Sequence, residues 1–264
     1  DLAIVADTGL AVPPTPTLGV SYPSFASTRV AAIGGLRALR FATVHGFDAL
    51  TAAQDMGVGV QLDVLLGSSA LTPAHAQDVF VATDLYAGTG DERSFITARL
   101  LAEARGVNES HGWEGVVASA RLAWYGNATG NRAHLASVEL SGLQHLVFPA
   151  QLTFRDAEGG LPGYGDATSA GGQRVVMRVE ERRLVHRFGT KVDLAVAVFA
   201  AAGKLWAGDV PYGRTTPVHT AAGISLLGAY PPAGKRTYRI DLAFPVNAER
   251  GEARMELRVS AFPG

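Results

Sequence analysis

Apolar and polar residues alternate with a period of two along most of the chain. Between Asp55 and Val64, Met56, Val58, Val60, Leu62 and Val64 share one face, and Asp55, Gly57, Gly59, Gln61 and Asp63 share the other. This is the spacing of a strand whose side chains point alternately to the two sides of a sheet. The pattern returns with Ile96, Ala98, Leu100 and Ala102 against Thr97, Arg99 and Glu103, and with Val116, Ala118, Ala120, Leu122 and Trp124 against Ser119 and Arg121. Further on, Val175, Met177 and Val179 oppose Arg178, Glu180 and Arg182. Val192, Leu194, Val196 and Val198 oppose Lys191 and Asp193, and Tyr238, Ile240, Leu242 and Phe244 oppose Arg239 and Asp241. No stretch keeps a helical apolar period between two caps, and Leu50 to Met56 makes at most one helical turn. The chain therefore reads as all-β. Strands are predicted at 2–11, 16–24, 27–45 (one long strand or a hairpin broken at Gly34-Gly35), 55–67, 76–87, 93–106, 113–126, 131–143, 145–155, 172–185, 190–200, 215–229, 236–246 and 252–262.

Alternation alone fits two opposite solutions. A soluble barrel or sandwich turns its apolar face inward, whereas a membrane barrel turns it to lipid and encloses the charges. Three features favour the second. The apolar series are nearly uninterrupted Val, Leu, Ala and Gly, and lysine, the usual residue of soluble edges, is scarce beside arginine. Connections alternate long (157–171), short (186–189), long (201–214) and short (231–235), the loop asymmetry of membrane barrels. Trp113, Trp124, Tyr125, Phe148, Tyr230, Tyr238, Phe244 and Phe262 fall near predicted strand ends, where interfacial aromatic girdles sit. Many strands also reach the about 9–11 residues that a tilted membrane strand needs. The fold class expected is an antiparallel transmembrane β-barrel of about 14–16 strands, within the known range. It would occupy residues 1–264 as a single domain, with a long surface loop folded inward.

Composition narrows the function. Of 264 residues, 47% are hydrophobic and 18% charged, so the chain can bury apolar surface or show it to lipid. A net charge of −1 lacks the concentrated basic surface of a nucleic-acid binder. Zero cysteines removes disulfides, thiolate zinc sites and cysteine nucleophiles together. The longest apolar run, Leu194 to Gly203, is far short of the about 20 residues of a membrane helix. No charged-then-apolar leader opens the chain at Asp1, so a signal peptide is expected to be absent or already removed.

The C-terminal third resembles the bacterial surface-antigen barrel superfamily, which includes the outer-membrane assembly insertases and the transporters of two-partner secretion. Leu161-Pro162-Gly163-Tyr164 occupies the place of the family's inward loop motif, and Glu180 with Arg182 occupies that of the following strand motif. VAVFAAAGKLW (Val196 to Trp206) is similar to the family's phenylalanine-containing strand that ends in glycine, and YRIDLAFPV (Tyr238 to Val246) to its penultimate strand. The last strand, with Met255, Leu257 and Phe262, is similar to the sorting signal read by the outer-membrane assembly machinery. The resemblance spans residues 155–262. Upstream, His45 to Leu62 resembles the family's glycine-punctuated early strands. Two departures stand out. Pro162 replaces the loop arginine and Ala201 its partner aspartate, so the ion pair that locks the loop in the lumen has lost both members, the tolerable way to lose a buried pair. Tyr164 packing and Arg178, Glu180 and Arg182 are expected to hold the loop instead. The family's periplasmic domains of βααββ pattern are not expected in this chain either, since Asp1 to Val20 leads straight into strand-like sequence.

Candidate chemistry is sparse. The expected lumen charges are Arg178, Glu180, Arg182, Asp193, Arg239 and Asp241, with Arg99, Arg121, Glu139, Arg254 and Glu256 lining the rest. A mixed-sign lumen is also how a barrel satisfies inward charges without any binding role. Seven histidines are scattered without metal spacing, and His134 and Ser137, an odd number apart, fall on opposite strand faces. Neither a metal, a cofactor nor a catalytic triad is expected. The reading is a porin-like pore or a protein translocation and insertion barrel of the bacterial outer membrane, not an enzyme. Its partners would be outer-membrane lipids, the assembly machinery and a protein or polypeptide substrate. The alternatives are a non-conducting membrane anchor of a larger assembly and a soluble lipid-binding barrel.

Overall fold

A computed structural model of the chain describes residues 2–7, 27–69, 78–107, 112–129, 131–156, 159–165, 167–188, 192–231, 236–247 and 256–262. They contain strands, turns and connecting segments and no helix. Twelve strands form one antiparallel sheet: β1 (Leu2–Asp7), β2 (Ser27–His45), β3 (Ala53–Ser68), β4 (Asp78–Gly90), β5 (Ser94–Val107), β6 (Gly112–Thr129), β7 (Arg132–Gln144), β10 (Gln173–Phe188), β11 (Val192–Trp206), β12 (His219–Ala229), β13 (Thr237–Pro245) and β14 (Glu256–Phe262). Each pairs with its neighbour in that order; β8 (Leu152–Thr153) and β9 (Ala170–Gly171) form a separate two-stranded ribbon between β7 and β10.

The all-β reading holds, and three finer expectations are corrected. Among the described residues the sheet has twelve strands, against the about 14–16 expected. It is also not closed: among the described residues β1 pairs only with β2, and β14 only with β13. These edge strands are six and seven residues long, the shortest of the sheet, and a short edge offers little backbone to pair. The strand predicted at 145–155 is mostly connection, because His145 turns the chain with φ 48° and Pro149 has no N–H for a ladder. The strand predicted at 16–24 lies outside the described residues. By contrast, β2 runs unbroken through Gly34-Gly35, where the missing side chain of Gly35 leaves room for the Asp63 carboxylate.

The sheet is strongly curled. Six strand spacings separate β3 from β11, about 29 Å in a flat sheet at about 4.8 Å each. Yet Thr51, in the turn before β3, donates a hydrogen bond to Asp193 of β11. The connections at one end of the sheet, between β2 and β3, β4 and β5, β6 and β7, β10 and β11, and β12 and β13, are at most seven residues long. Connections at the other end are mostly longer, at 69–77, 145–172, 207–218 and 246–255, with 108–111 the exception. In the 91–93 turn the backbone N–H groups of Arg93 and Ser94 donate to Asp91 Oδ1 at 2.8 and 3.1 Å. Those bonds, that from Arg93 foremost, hold its carboxyl below the ordinary aspartate range.

The two faces differ in chemistry. Outward positions on β10 to β13 carry Met177, Val179, Val196, Val198, Ile224, Leu226, Tyr238, Ile240 and Phe244, all exposed. The alternating residues Glu180, Arg182, Asp193, Arg239 and Asp241 are buried on the inner side. This is the reverse of a water-soluble sheet protein, in which apolar side chains leave water and charges stay in it.

Candidate functional site

The inner side of β10 to β13 holds a connected set of charges. Glu180 is its centre. It accepts from Arg178 Nη2 at 3.0 Å, from Arg182 Nε and Nη2 at 3.3 and 3.1 Å, and from both terminal nitrogens of Arg239 at 3.1 and 2.7 Å. Arg239 in turn donates to Asp241 Oδ1 at 2.6 Å and to Ser225 Oγ at 2.6 Å, and Ser225 donates to Asp241 at 2.5 Å. Even-numbered positions of β10 place three of these groups in one line, while β12 and β13 supply the others from the facing ladder. Three guanidiniums thus share two carboxylates. The excess positive charge faces the Phe199 ring, 4.0 Å from the Arg178 guanidinium and 6.0 Å from that of Arg239. The Phe47 carbonyl, which accepts from Arg182, takes another share.

At the short-turn end, segment 46–52 folds inward and covers this set. Phe47 is fully buried, stacked on Tyr125 with ring centroids 5.0 Å apart and tilted against Phe95 at 6.4 Å. Tyr125 donates to the Asp48 carboxylate at 3.2 Å, and Thr237 donates to the Asp48 carbonyl at 3.3 Å. Leu50 packs with Ala195, Ala197, Leu227 and Ala229. The segment therefore spans from β5 and β6 across to β13.

At the other end lies the long connection. Leu161 and Tyr164 are fully buried and Ala167 nearly so, packed with Phe154 against Val176, Ala201, Leu205 and Ala221. The Tyr164 hydroxyl is 3.1 Å from the Thr220 carbonyl and 3.3 Å from Asn247 Oδ1. His219 makes T-shaped contacts with both Phe154 and Tyr164, ring centroids 5.3 and 5.1 Å away. Arg174 ties the base of the loop, donating to the Thr153 carbonyl at 2.6 Å and to Asp156 at 2.5 Å. Gly163 has φ 86° beside Pro245, a backbone state that favours glycine.

The inner side of β3 to β6 is open by comparison. Arg37, Gln61, Tyr86, Arg99, Arg121 and Glu139 stand in register across six adjacent strands, with Asp63 and Asp84 one row along. Arg99 pairs with Asp84 at 2.6 Å, but both side chains remain exposed. A hollow of about 490 Å³, lined by Asp63, Leu65, Asp84, Leu101, Glu103 and Ser119 among others, lies along these rows.

Of the residues singled out in the sequence, Arg178, Glu180, Arg182, Arg239 and Asp241 come together, whereas Asp193 is held apart by Thr51. Leu161, Pro162, Gly163 and Tyr164 are buried as an inward loop. Tyr164 and the Ala201 position hold that loop through apolar packing. The expectation that Arg178, Glu180 and Arg182 also hold it is corrected: their bonds go to Arg239 and to Phe47. Tyr125, expected in the aromatic girdle, points inward onto Phe47 because it alternates with Trp124, which points out. Leu257 and Phe262 lie on edge strand β14, paired with Leu242 and Thr237, while Met255 and Arg254 fall outside the described residues. His134 and Ser137 face opposite sides, paired with Glu181 and Arg178. The 46–52 segment was not anticipated; its signal is Phe47 and Leu50 standing in a turn that water would otherwise fill with polar residues. Among the described residues no three His, Cys, Asp or Glu side chains converge as for a metal ion.

Comparison of the sequence with protein-family models and with curated proteins finds no match.

Proposed function

We propose that this chain is a β-sheet protein of the bacterial outer membrane, of the surface-antigen type, forming a pore or polypeptide path. Its inner side is charged, and its ends are narrowed by segment 46–52 and by the loop around Tyr164. One observation carries the reading: charges are buried inside while large apolar side chains are exposed outside on the same strands. In water each exposed apolar area would cost about 25 cal/mol per Å²; against acyl chains that cost disappears. Aromatic placement supports it. Phe41, Trp124, Tyr230 and Tyr238 are exposed toward the short-turn end, and Trp113, Trp206 and Phe244 toward the other. On β6, Trp113 and Trp124 are about 36 Å apart at about 3.3 Å per residue, or about 25 Å across a bilayer for a strand tilted by about 45°, the height of an apolar band.

Lipid tolerates no unpaired sheet edge. In the membrane β1 and β14 must accordingly be joined, and the resemblance implies a seam there that opens to lipid and polypeptide. Cysteines introduced into β1 and β14 should cross-link in membrane vesicles if the sheet closes; a retained function after cross-linking excludes opening of that seam. A second reading, a non-conducting anchor or partner-binding scaffold, is favoured by the packed segments at both ends. Planar-bilayer recording separates the two. Steady ion-selective current supports the pore, and a membrane-integrated but silent protein supports the scaffold. Recovery of folded protein in buffer without detergent removes both and leaves a soluble barrel.

A further inference from the structure

The outer face carries an exception to its apolar character. Toward the short-turn end, Arg183 of β10 and Arg132 of β7 are direct cross-strand partners on the outward side. Like charges placed opposite each other destabilise a ladder unless something neutralises them. Glu181 serves Arg132, at 3.3 Å, with both side chains about two-fifths exposed. Arg183 is exposed and makes no ion pair with any described residue.

A groove of about 640 Å³ begins beside Arg183. Two registered rows form its walls, Arg183 with Val196, Leu226 and Ile240, and Glu181 with Val198, Ile224 and Leu242. It crosses three strand spacings, about 14 Å, and two rows, about 7 Å. That footprint, about 100 Å², is far below the about 800 Å² per side of a stable protein interface. The shape suits a single chain-like apolar occupant with an anionic end.

We propose that this groove binds one anionic phospholipid, its acyl chain along Val196, Val198, Ile224 and Leu226 and its phosphate on Arg183 and Arg132. A guanidinium offers two parallel N–H donors to phosphate oxygens, and the site sits where the apolar band of Met177 and Val179 gives way to charge. The proposal rests on the membrane reading above.

Native mass spectrometry of the full chain in detergent micelles tests it, with phosphatidylglycerol and phosphatidylcholine of identical acyl chains as probes. Phosphatidylglycerol should bind about fivefold tighter for each arginine engaged. R183Q should remove about fivefold of that preference and R183K should keep most of it, while L226W, which fills the groove, should weaken both lipids. Equal binding of the two lipids by the unaltered protein, a preference unchanged in R183Q, or lipid binding unchanged in L226W overturns the site. If any of these occurs in protein extracted only by detergent, the lipid site alone falls; recovery in buffer without detergent takes the membrane reading down with it.

Discussion

The inner side is made of the same residue types on its two halves but treats them differently. Across β10 to β13, Glu180, Arg182, Asp193, Arg239 and Asp241 are all less than a tenth exposed. Across β3 to β6, the Arg99 and Asp84 side chains are 56% and 35% exposed although their ion pair, at 2.6 Å, is as short as that of Arg239 with Asp241. What differs is cover: the loop around Tyr164 lies against β10 to β12, and segment 46–52 reaches over from β5 and β6 to β13. Under that cover a carboxylate becomes indispensable to the guanidiniums around it, whereas on the open half water takes the place of a lost partner. The covered half is thus held together by buried charges, whereas the middle of the other half stays open to solvent, its own buried cluster of Asp78 with Arg29 and Arg105 lying at the long-connection end.

The largest effect expected from breaking this contrast is at Glu180. E180Q removes the anion common to three arginines and should destabilise the protein by about 3–5 kcal/mol. D84N on the open half should cost at most about 1 kcal/mol. Denaturant unfolding in detergent, followed by tryptophan fluorescence, compares the two; equal losses would erase the distinction. Y164A should cost about 3–5 kcal/mol by emptying the site beneath the long loop, and Y164F only about 1 kcal/mol, the loss of its hydroxyl bonds. T51V, which unties the inward turn from Asp193, should cost about 1–2 kcal/mol and raise single-channel conductance by loosening the short-turn end. R99A should leave stability within about 0.5 kcal/mol while shifting the reversal potential toward cation preference, because an exposed cation is lost from the open wall.

Most strands were legible because period-two alternation is a local property. Val175 to Arg182 already separates the exposed from the buried side of β10 without any knowledge of its neighbours. Long-range features were not legible in the same way. The inward turn gains its stability from Tyr125, Arg182, Asp193 and Thr237, residues that lie 77 to 189 positions from their partners in it. Whether β1 meets β14 depends on the curl of ten intervening strands, which no local pattern encodes. Tyr125 was misplaced by the smallest possible error, one residue, since neighbouring positions of a strand face opposite ways. The charge cluster was legible in five of its members but not at Asp193, which bonds Thr51 instead, and not in its wiring: Ser225, Phe199 and the Phe47 carbonyl complete it, and none announces itself by spacing.

The chain contains no cysteine, so single cysteines can be introduced and spin-labelled on a silent background. Labels at Val198, Ile224 and Leu122 on the outer face, and at Leu101 and Glu103 on the inner, should be measured in lipid bilayers with oxygen as the lipid-partitioning relaxant and a nickel chelate as the aqueous one. Outer labels should respond to oxygen and inner labels to nickel. Outer labels that respond chiefly to nickel would contradict the assignment of this face to lipid.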